Sequence, residues 1–198
     1  INKKKNNLID YKKNMPISNL LNEIKKINNY VNFVDKIKKR SLEKKISIIA
    51  EIKQASPSAG TLVKDFNHLN IAKIFVENGA SCLSVLTEEN FFLGKHDYIR
   101  SIKNLYSIPI LCKDFFIDTY QVALAKYFRA DCILIILSAV DKTLAKDLYQ
   151  AALDLNISTL VEVHTEKEAE FALNFHKSII GINNRNLKTL NTSLDTSI

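Results

Sequence analysis

From residue 46 onward, short runs rich in Ile, Leu, Val and Cys alternate with longer stretches whose apolar residues recur at helical spacing. The runs at 47–53, 82–87, 109–113, 132–137, 159–163 and 179–183 predict six strands. Segments 69–78, 97–105, 119–128, 144–155 and 166–175 predict the helices between them; Val122, Leu124, Ala125 and Phe128 show the spacing. Strand and helix in strict alternation imply a parallel sheet covered by helices, and nearly continuous apolar strands imply burial on both faces. Before residue 46 the pattern predicts helices around 18–27, introduced by Pro16-Ile17-Ser18, and around 34–44. The expected organisation is a helical extension over 1–45 laid on an α/β unit over 46–198. Four Gly and three Pro in 198 residues leave no flexible linker between them.

Composition narrows the class. A 46% hydrophobic content describes an ordinary globular chain with a sizeable core. No apolar run approaches the roughly 20 residues that span a bilayer, and the Lys- and Asn-rich start has no apolar signal core. Neither membrane insertion nor secretion is indicated, and a cytoplasmic location is expected. Cys82, Cys112 and Cys132 are odd in number and each sits in an apolar strand-like run, so they read as reduced core thiols. The four histidines lack ligand spacing, and no metal site is expected.

The formal charge of +7 is local: residues 1–45 hold 13 Lys/Arg against 4 Asp/Glu, and the remainder is slightly acidic. Those lysines are interleaved with Asn, Ile and Leu rather than with aromatic residues or Arg pairs. They read as a solvated helical face and not as a nucleic-acid footprint.

Candidate chemistry collects where the predicted strands end. The first ends in Glu51 and Lys53, whose two-residue separation puts both side chains on one face of a strand. The third ends in Lys113-Asp114, the fifth in Glu162 with His164 beyond it, and the sixth in Asn183-Asn184-Arg185. In a parallel α/β fold all these ends lie on one rim, where active sites are built. One such charge would be merely the first residue to meet solvent. Lysines, glutamates, Asn and Arg converging from four strands weaken that explanation.

These residues belong to longer blocks: Ile49-Ala50-Glu51-Ile52-Lys53, Ser56-Pro57-Ser58, Ser84-Val85-Leu86-Thr87-Glu88, Phe92-Leu93-Gly94, Lys113-Asp114-Phe115, Asp118-Thr119-Tyr120-Gln121, Leu160-Val161-Glu162-Val163-His164 and Gly181-Ile182-Asn183-Asn184-Arg185-Asn186-Leu187. In order and spacing they resemble the indole-3-glycerol phosphate synthases of tryptophan biosynthesis, over residues 46 to the end. The resemblance implies a (β/α)8 barrel with an N-terminal helical extension, here covering about strands one to six. It implies a carboxy-lyase that converts 1-(2-carboxyphenylamino)-1-deoxyribulose 5-phosphate, a small anionic substrate, to indole-3-glycerol phosphate, with no cofactor or metal.

By the same resemblance Lys113 is the general acid at the carbonyl oxygen. Glu162, Lys53 and Glu51 divide the remaining acid–base work in an order the sequence leaves open. Asn183 positions substrate through hydrogen bonds, and Arg185 through charge or by orienting neighbouring carboxylates. Phe92, Phe115, Leu134 and Leu187 match the apolar wall around the anthranilate ring, and Ser56 and Pro57 the mobile loop after the first strand.

The sequence also departs from the family pattern. Ala59 stands where many members carry Lys, and Arg129 and Asn174-Phe175-His176 replace Gly-Ala turns. Residues 1–198 end before the blocks expected to supply the last two strands and much of the phosphate site. The alternative expectation is therefore an inactive fragment or binding module of this fold that needs the missing part or another chain. Phosphoribosylanthranilate isomerase, a related barrel enzyme, would not be expected to carry Glu-x-Lys followed by Ser-Pro-Ser.

Overall fold

A computed structural model of the chain describes residues 2–27, 31–185 and 191–197. Helices α1 (Asn2–Asn14), α2 (Ile17–Ile24) and α3 (Phe33–Leu42) come first. Strand β1 (Ile49–Ile52) is followed by a small hairpin, β2 (Ala55–Ser56) with β3 (Gly60–Thr61). Then helix and strand alternate: α4 (His68–Glu77), β4 (Cys82–Leu86), α5 (His96–Leu105), β5 (Ile110–Lys113), α6 (Tyr120–Tyr127), β6 (Cys132–Ile136), α7 (Lys142–Asp154), β7 (Ser158–Val163), α8 (Glu166–Ala172) and β8 (Ile179–Ile182). A 3-10 turn at Leu137–Ala139 follows β6, and another lies at Leu194–Ser197. The six long-range strands pair in chain order, β1-β4-β5-β6-β7-β8, each parallel to the next. The curled parallel sheet is that of a partial (β/α)8 barrel.

Strand alternation divides the core. Leu83, Val85, Ile110, Cys112, Ile133 and Ile135 face outward and pack with apolar residues of α4 to α8. Their neighbours Cys82, Leu111, Cys132, Leu134 and Ile136 face inward and form a second cluster. Phe33, fully buried at the start of α3, joins that inner cluster with Cys82, Leu111 and Cys132, towards the N-terminal ends of the strands. At about 25 cal/mol per Å² of apolar surface, a buried ring of this size contributes roughly 2–3 kcal/mol. Asn32 caps α3 by accepting the Asp35 N–H at 3.1 Å, which sets where that ring enters.

The three thiols are buried and unpaired. Burial pushes Cys82 and Cys112 up to about 12 and raises Cys132 as well, so all three are inert core residues.

A pattern that the sequence concealed lies in the helix-to-strand turns. Lys44, Gly79, Arg129 and Asn156 all have positive φ, at 56°, 84°, 71° and 51°. Each precedes a residue whose N–H reaches back five positions, as Ala80 does to Phe75 O, Ala130 to Ala125 O and Ile157 to Ala152 O. These are Schellman caps, which favour Gly and tolerate Asn. Arg129 occupies a glycine position, and its guanidinium holds Asn104 Oδ1 at 2.7 Å and Lys103 O at 3.2 Å. No positive φ occurs at Asn174, Phe175 or His176, so that turn requires no glycine.

Left-handed backbone costs an L-residue other than Asn or Asp roughly 1–2 kcal/mol, and exposed hydrogen bonds return only part of it. Arg129→Gly is therefore expected to raise the urea midpoint by the equivalent of about 0.5–1 kcal/mol, whereas Asn156→Gly changes it little. A lower midpoint for Arg129→Gly would show that its hydrogen bonds outweigh the strain.

Candidate active site

A cavity of about 670 Å³ opens at the C-terminal ends of the parallel strands. On its first wall Glu51 stands between two lysines: its Oε2 accepts from Lys113 Nζ at 2.7 Å and its Oε1 from Lys53 Nζ. Lys113 comes from β5, two strands away, so curling of the sheet is what brings these charges together. Burial pushes the Glu51 carboxyl up, but Lys113 and then Lys53 outweigh it and hold the group below its ordinary value. Glu51 is thus a carboxylate at neutral pH with an ammonium group on each oxygen.

Opposite lie β7 and β8. Asn183 Nδ2 donates to Glu162 Oε1 at 3.0 Å, and the Asn183 N–H is anchored on Val163 O at 2.9 Å. Arg185 reaches across to Ser58 Oγ, 3.4 Å from Nη1. The Ser56-Pro57-Ser58 segment forms part of the β2–β3 hairpin, where Ser56 Oγ accepts the Ala59 N–H at 3.2 Å. The segment after β1 is thus a short antiparallel ladder that includes Gly60, whose φ is 64°.

Phe92, Phe115 and Leu134 form an apolar flank of the cavity, with Leu86 and Ile136 beside them. Eleven of the twelve residues to which the family resemblance gave a role, Glu51, Lys53, Ser56, Pro57, Phe92, Lys113, Phe115, Leu134, Glu162, Asn183 and Arg185, line this one cavity. Leu187 lies outside the described residues.

Several residues support the site in ways that the sequence did not reveal. The buried Glu88 carboxylate accepts the N–H groups of Asn90, Phe91 and Phe92, which shapes the turn carrying Phe92. Gly94 makes that turn possible, because a Cβ there would come within 2.3 Å of Leu86 O. Asp114, next to Lys113, binds Lys4 Nζ at 2.6 Å and Thr87 Oγ1 at 2.8 Å, with side-chain exposures of only 7% for Lys4 and 1% for Asp114. Lys4 is thus an exception to the solvated lysine face, and it belongs to α1, a helix the apolar pattern did not reveal. Lys12 and Tyr11 of the same helix bind Asp118 and Glu89.

Among the described residues, no helix is long and apolar enough to cross a membrane. No group of three or more His, Cys, Asp or Glu among them is arranged to hold a metal ion.

A sequence model of the family described as Indole-3-glycerol phosphate synthase matches residues 1–198. Curated relatives of that name include the proteins of Polaromonas naphthalenivorans, 46% identical over 84% of this chain and 63% of the relative, and of Aliarcobacter butzleri, 43% identical over 96% and 72%. A third, from Legionella pneumophila, is 48% identical over 77% of this chain and 59% of its own length. The chain thus spans about 59–72% of the length of these relatives in the matched regions. Among solved structures, 3-keto-L-gulonate-6-phosphate decarboxylase from Vibrio cholerae superposes with a TM-score of 0.52 at 16% identity, over 76% of this chain and 69% of that one. KGPDC from Streptococcus mutans does so with a TM-score of 0.52 at 15% identity, over 68% and 64%. At that identity the likeness concerns the fold.

The charge arrangement around Glu51 has a measurable signature. A carboxyl held below its unfolded value contributes stability that is present above the unfolded value, near 4.5, and lost as pH falls through the folded value. Glu51→Gln is expected to flatten the acid limb of the stability curve below about pH 4.5. An unchanged acid limb, measured by urea unfolding at several pH values, would mean that the two lysines do not hold Glu51 ionised.

Proposed function

Because the chain belongs to the indole-3-glycerol phosphate synthase family, we propose that the protein carrying it closes the ring of 1-(2-carboxyphenylamino)-1-deoxyribulose 5-phosphate, releasing carbon dioxide and water. The observation that carries this reading is the pairing of Glu51 with Lys113 and Lys53 across the cavity mouth from Glu162 and Asn183. An apolar flank of Phe92, Phe115 and Leu134 fits an anthranilate ring beside them.

In this reading the ring carbon bearing the carboxylate attacks the ketone while Lys113 protonates the carbonyl oxygen. Glu51 keeps that ammonium aimed into the cavity until substrate arrives. Loss of carbon dioxide returns the electron pair of the broken bond to the ring and restores its aromaticity. The hydroxyl then leaves as water after a second protonation, and the neighbouring methylene gives up one proton. Glu162, Lys53 and Glu51 share this last exchange. Starting from an ionised carboxylate, two protons enter and one leaves, so each turnover takes one proton from solvent. Lys53 and Arg185 add positive charge for an anionic substrate, and Asn183 orients both Glu162 and a substrate hydroxyl. Only protons, carbon dioxide and water are exchanged, with no net oxidation or reduction, so the chemistry requires no redox cofactor.

The family match and the convergence of acid–base groups support an enzyme over a binding module of the same fold. This chain contains no tryptophan, which favours a fluorescence assay for the indole product. The full-length protein is expected to generate indole fluorescence from the substrate, and its absence from a folded preparation would overturn the reading.

Lys113→Ala is expected to lower kcat by about 10³-fold with a much smaller change in KM, because the lost group acts on charge that develops during the reaction. Glu162→Gln should behave similarly. Phe115→Ala should instead raise KM about tenfold before kcat falls, since it removes apolar contact made equally in the ground and transition states.

A further inference from the structure

The ring of His164 lies between two carboxylates, in an arrangement that the mechanism above does not use. His164 follows Glu162 by two residues at the end of β7, and its Nε2 is 3.6 Å from Glu162 Oε1. That nitrogen is buried and has no hydrogen-bond partner. On the other edge, Nδ1 is 3.3 Å from Ser138 Oγ and 3.6 Å from Glu168 Oε2. Glu168, in the first turn of α8, also accepts the His164 backbone N–H at 2.7 Å, which fixes its carboxylate beside the ring. The charged groups facing the imidazole are Glu162 from its own strand and Glu168 from α8. The turn after β6 contributes the Ser138 hydroxyl and β8 the Asn183 amide, through Glu162.

A buried polar nitrogen without a partner is costly and so calls for an explanation. At 3.6 Å, Nε2 is just outside hydrogen-bonding range of Glu162, and a small rotation of either side chain closes the gap. The exposures run in sequence: Ser138 is open to solvent, Glu168 is 22% exposed, and His164 and Glu162 are 12% and 13% exposed. Exposure therefore falls from the Ser138 side to His164, which adjoins the carboxylate that faces the substrate cavity.

We propose that His164 is a positioning residue that carries the proton consumed in each turnover from the Ser138–Glu168 side to Glu162. The inference rests on the carboxy-lyase reading, because that reaction is what requires a proton from solvent. In the step, Nδ1 takes a proton from solvent at Ser138 and Glu168, giving an imidazolium. Its Nε2 proton passes to a Glu162 oxygen, leaving a neutral ring protonated on Nδ1. A half-turn of the ring about Cβ–Cγ returns the bare nitrogen to the solvent side. No bond other than N–H and O–H is made or broken, and one proton has moved inward. Histidine suits the task because one ring nitrogen can take up a proton while the other releases one.

The test is steady-state kinetics of the full-length protein and of His164→Gln and Glu168→Gln, across pH and with increasing imidazole. His164→Gln keeps a polar contact to Glu162 but carries no proton; kcat is expected to fall about a hundredfold with KM within threefold. Imidazole in solution is expected to restore kcat in a saturable manner, and Glu168→Gln to lower kcat about tenfold. Rescue by imidazole separates proton delivery from misfolding, which a free base would not repair. Wild-type turnover with a His164→Gln variant that keeps its kcat, loses only in KM, or ignores imidazole would overturn the proposal alone. Failure of the wild-type protein to form indole would overturn the carboxy-lyase reading and, with it, this step.

Discussion

The parallel pairing of six strands in chain order is the constraint on which the rest of this structure depends. Parallel strands end on the same side, so the residues leaving β1, β5, β7 and β8 necessarily share one rim. The register places Glu51 beside Ser84, Leu86 beside Lys113 and Ile136 beside Glu162. Each charged residue follows an inward-facing apolar one by two positions, so the polar layer sits directly on the inner cluster. Phe33 supports that cluster from the opposite end, and α3 is therefore part of the site's foundation.

Electrostatics at the rim follows from what lies beneath it. An apolar floor of Leu86, Leu134 and Ile136 offers no counter-charge, so the carboxylates and lysines must satisfy one another. Glu51 does so with two lysines, and Glu162 with the Asn183 amide. Such pairings hold the side chains in place before substrate binds, at the cost of contacts that substrate must replace. They are strong enough to order the groups and sufficiently exposed to be exchanged.

The N-terminal helices fasten this rim from outside. Leu8 and Leu20 pack against Tyr120, Ala123 and Leu124 of α6, which docks α1 and α2 on the barrel wall. Docked there, α1 presents Lys4 to Asp114, Tyr11 to Glu89 and Lys12 to Asp118, tying the segments after β4 and β5 to one rigid element. The basic composition of the first 45 residues thus has two parts. Most of its lysines face water, while Lys4 neutralises a buried carboxylate beside the proposed general acid.

Much of this was legible in the sequence, because the decisive patterns are local. The six strands follow from short, nearly continuous apolar runs and the five helices between them from period-3.6 apolar spacing, and the rim position of Glu51, Lys113, Glu162 and Asn183 follows from parallel topology alone. Helix α1 was hidden because its thirteen residues are mostly Lys and Asn, and only Leu8 of its core-facing residues is buried and apolar. The left-handed turn at Arg129 was read only as a departure from Gly-Ala, since a side chain does not announce its backbone angle. Local sequence determined which residues would form the six sheet strands and the helices between them, and which polar groups would reach the open rim. Only the tertiary structure decided that Lys113 bonds Glu51, that Lys4 meets Asp114 across 110 positions of chain, and that His164 stands between Glu162 and Glu168. Those partners are chosen by sheet curvature and helix docking, which no spacing within one segment encodes.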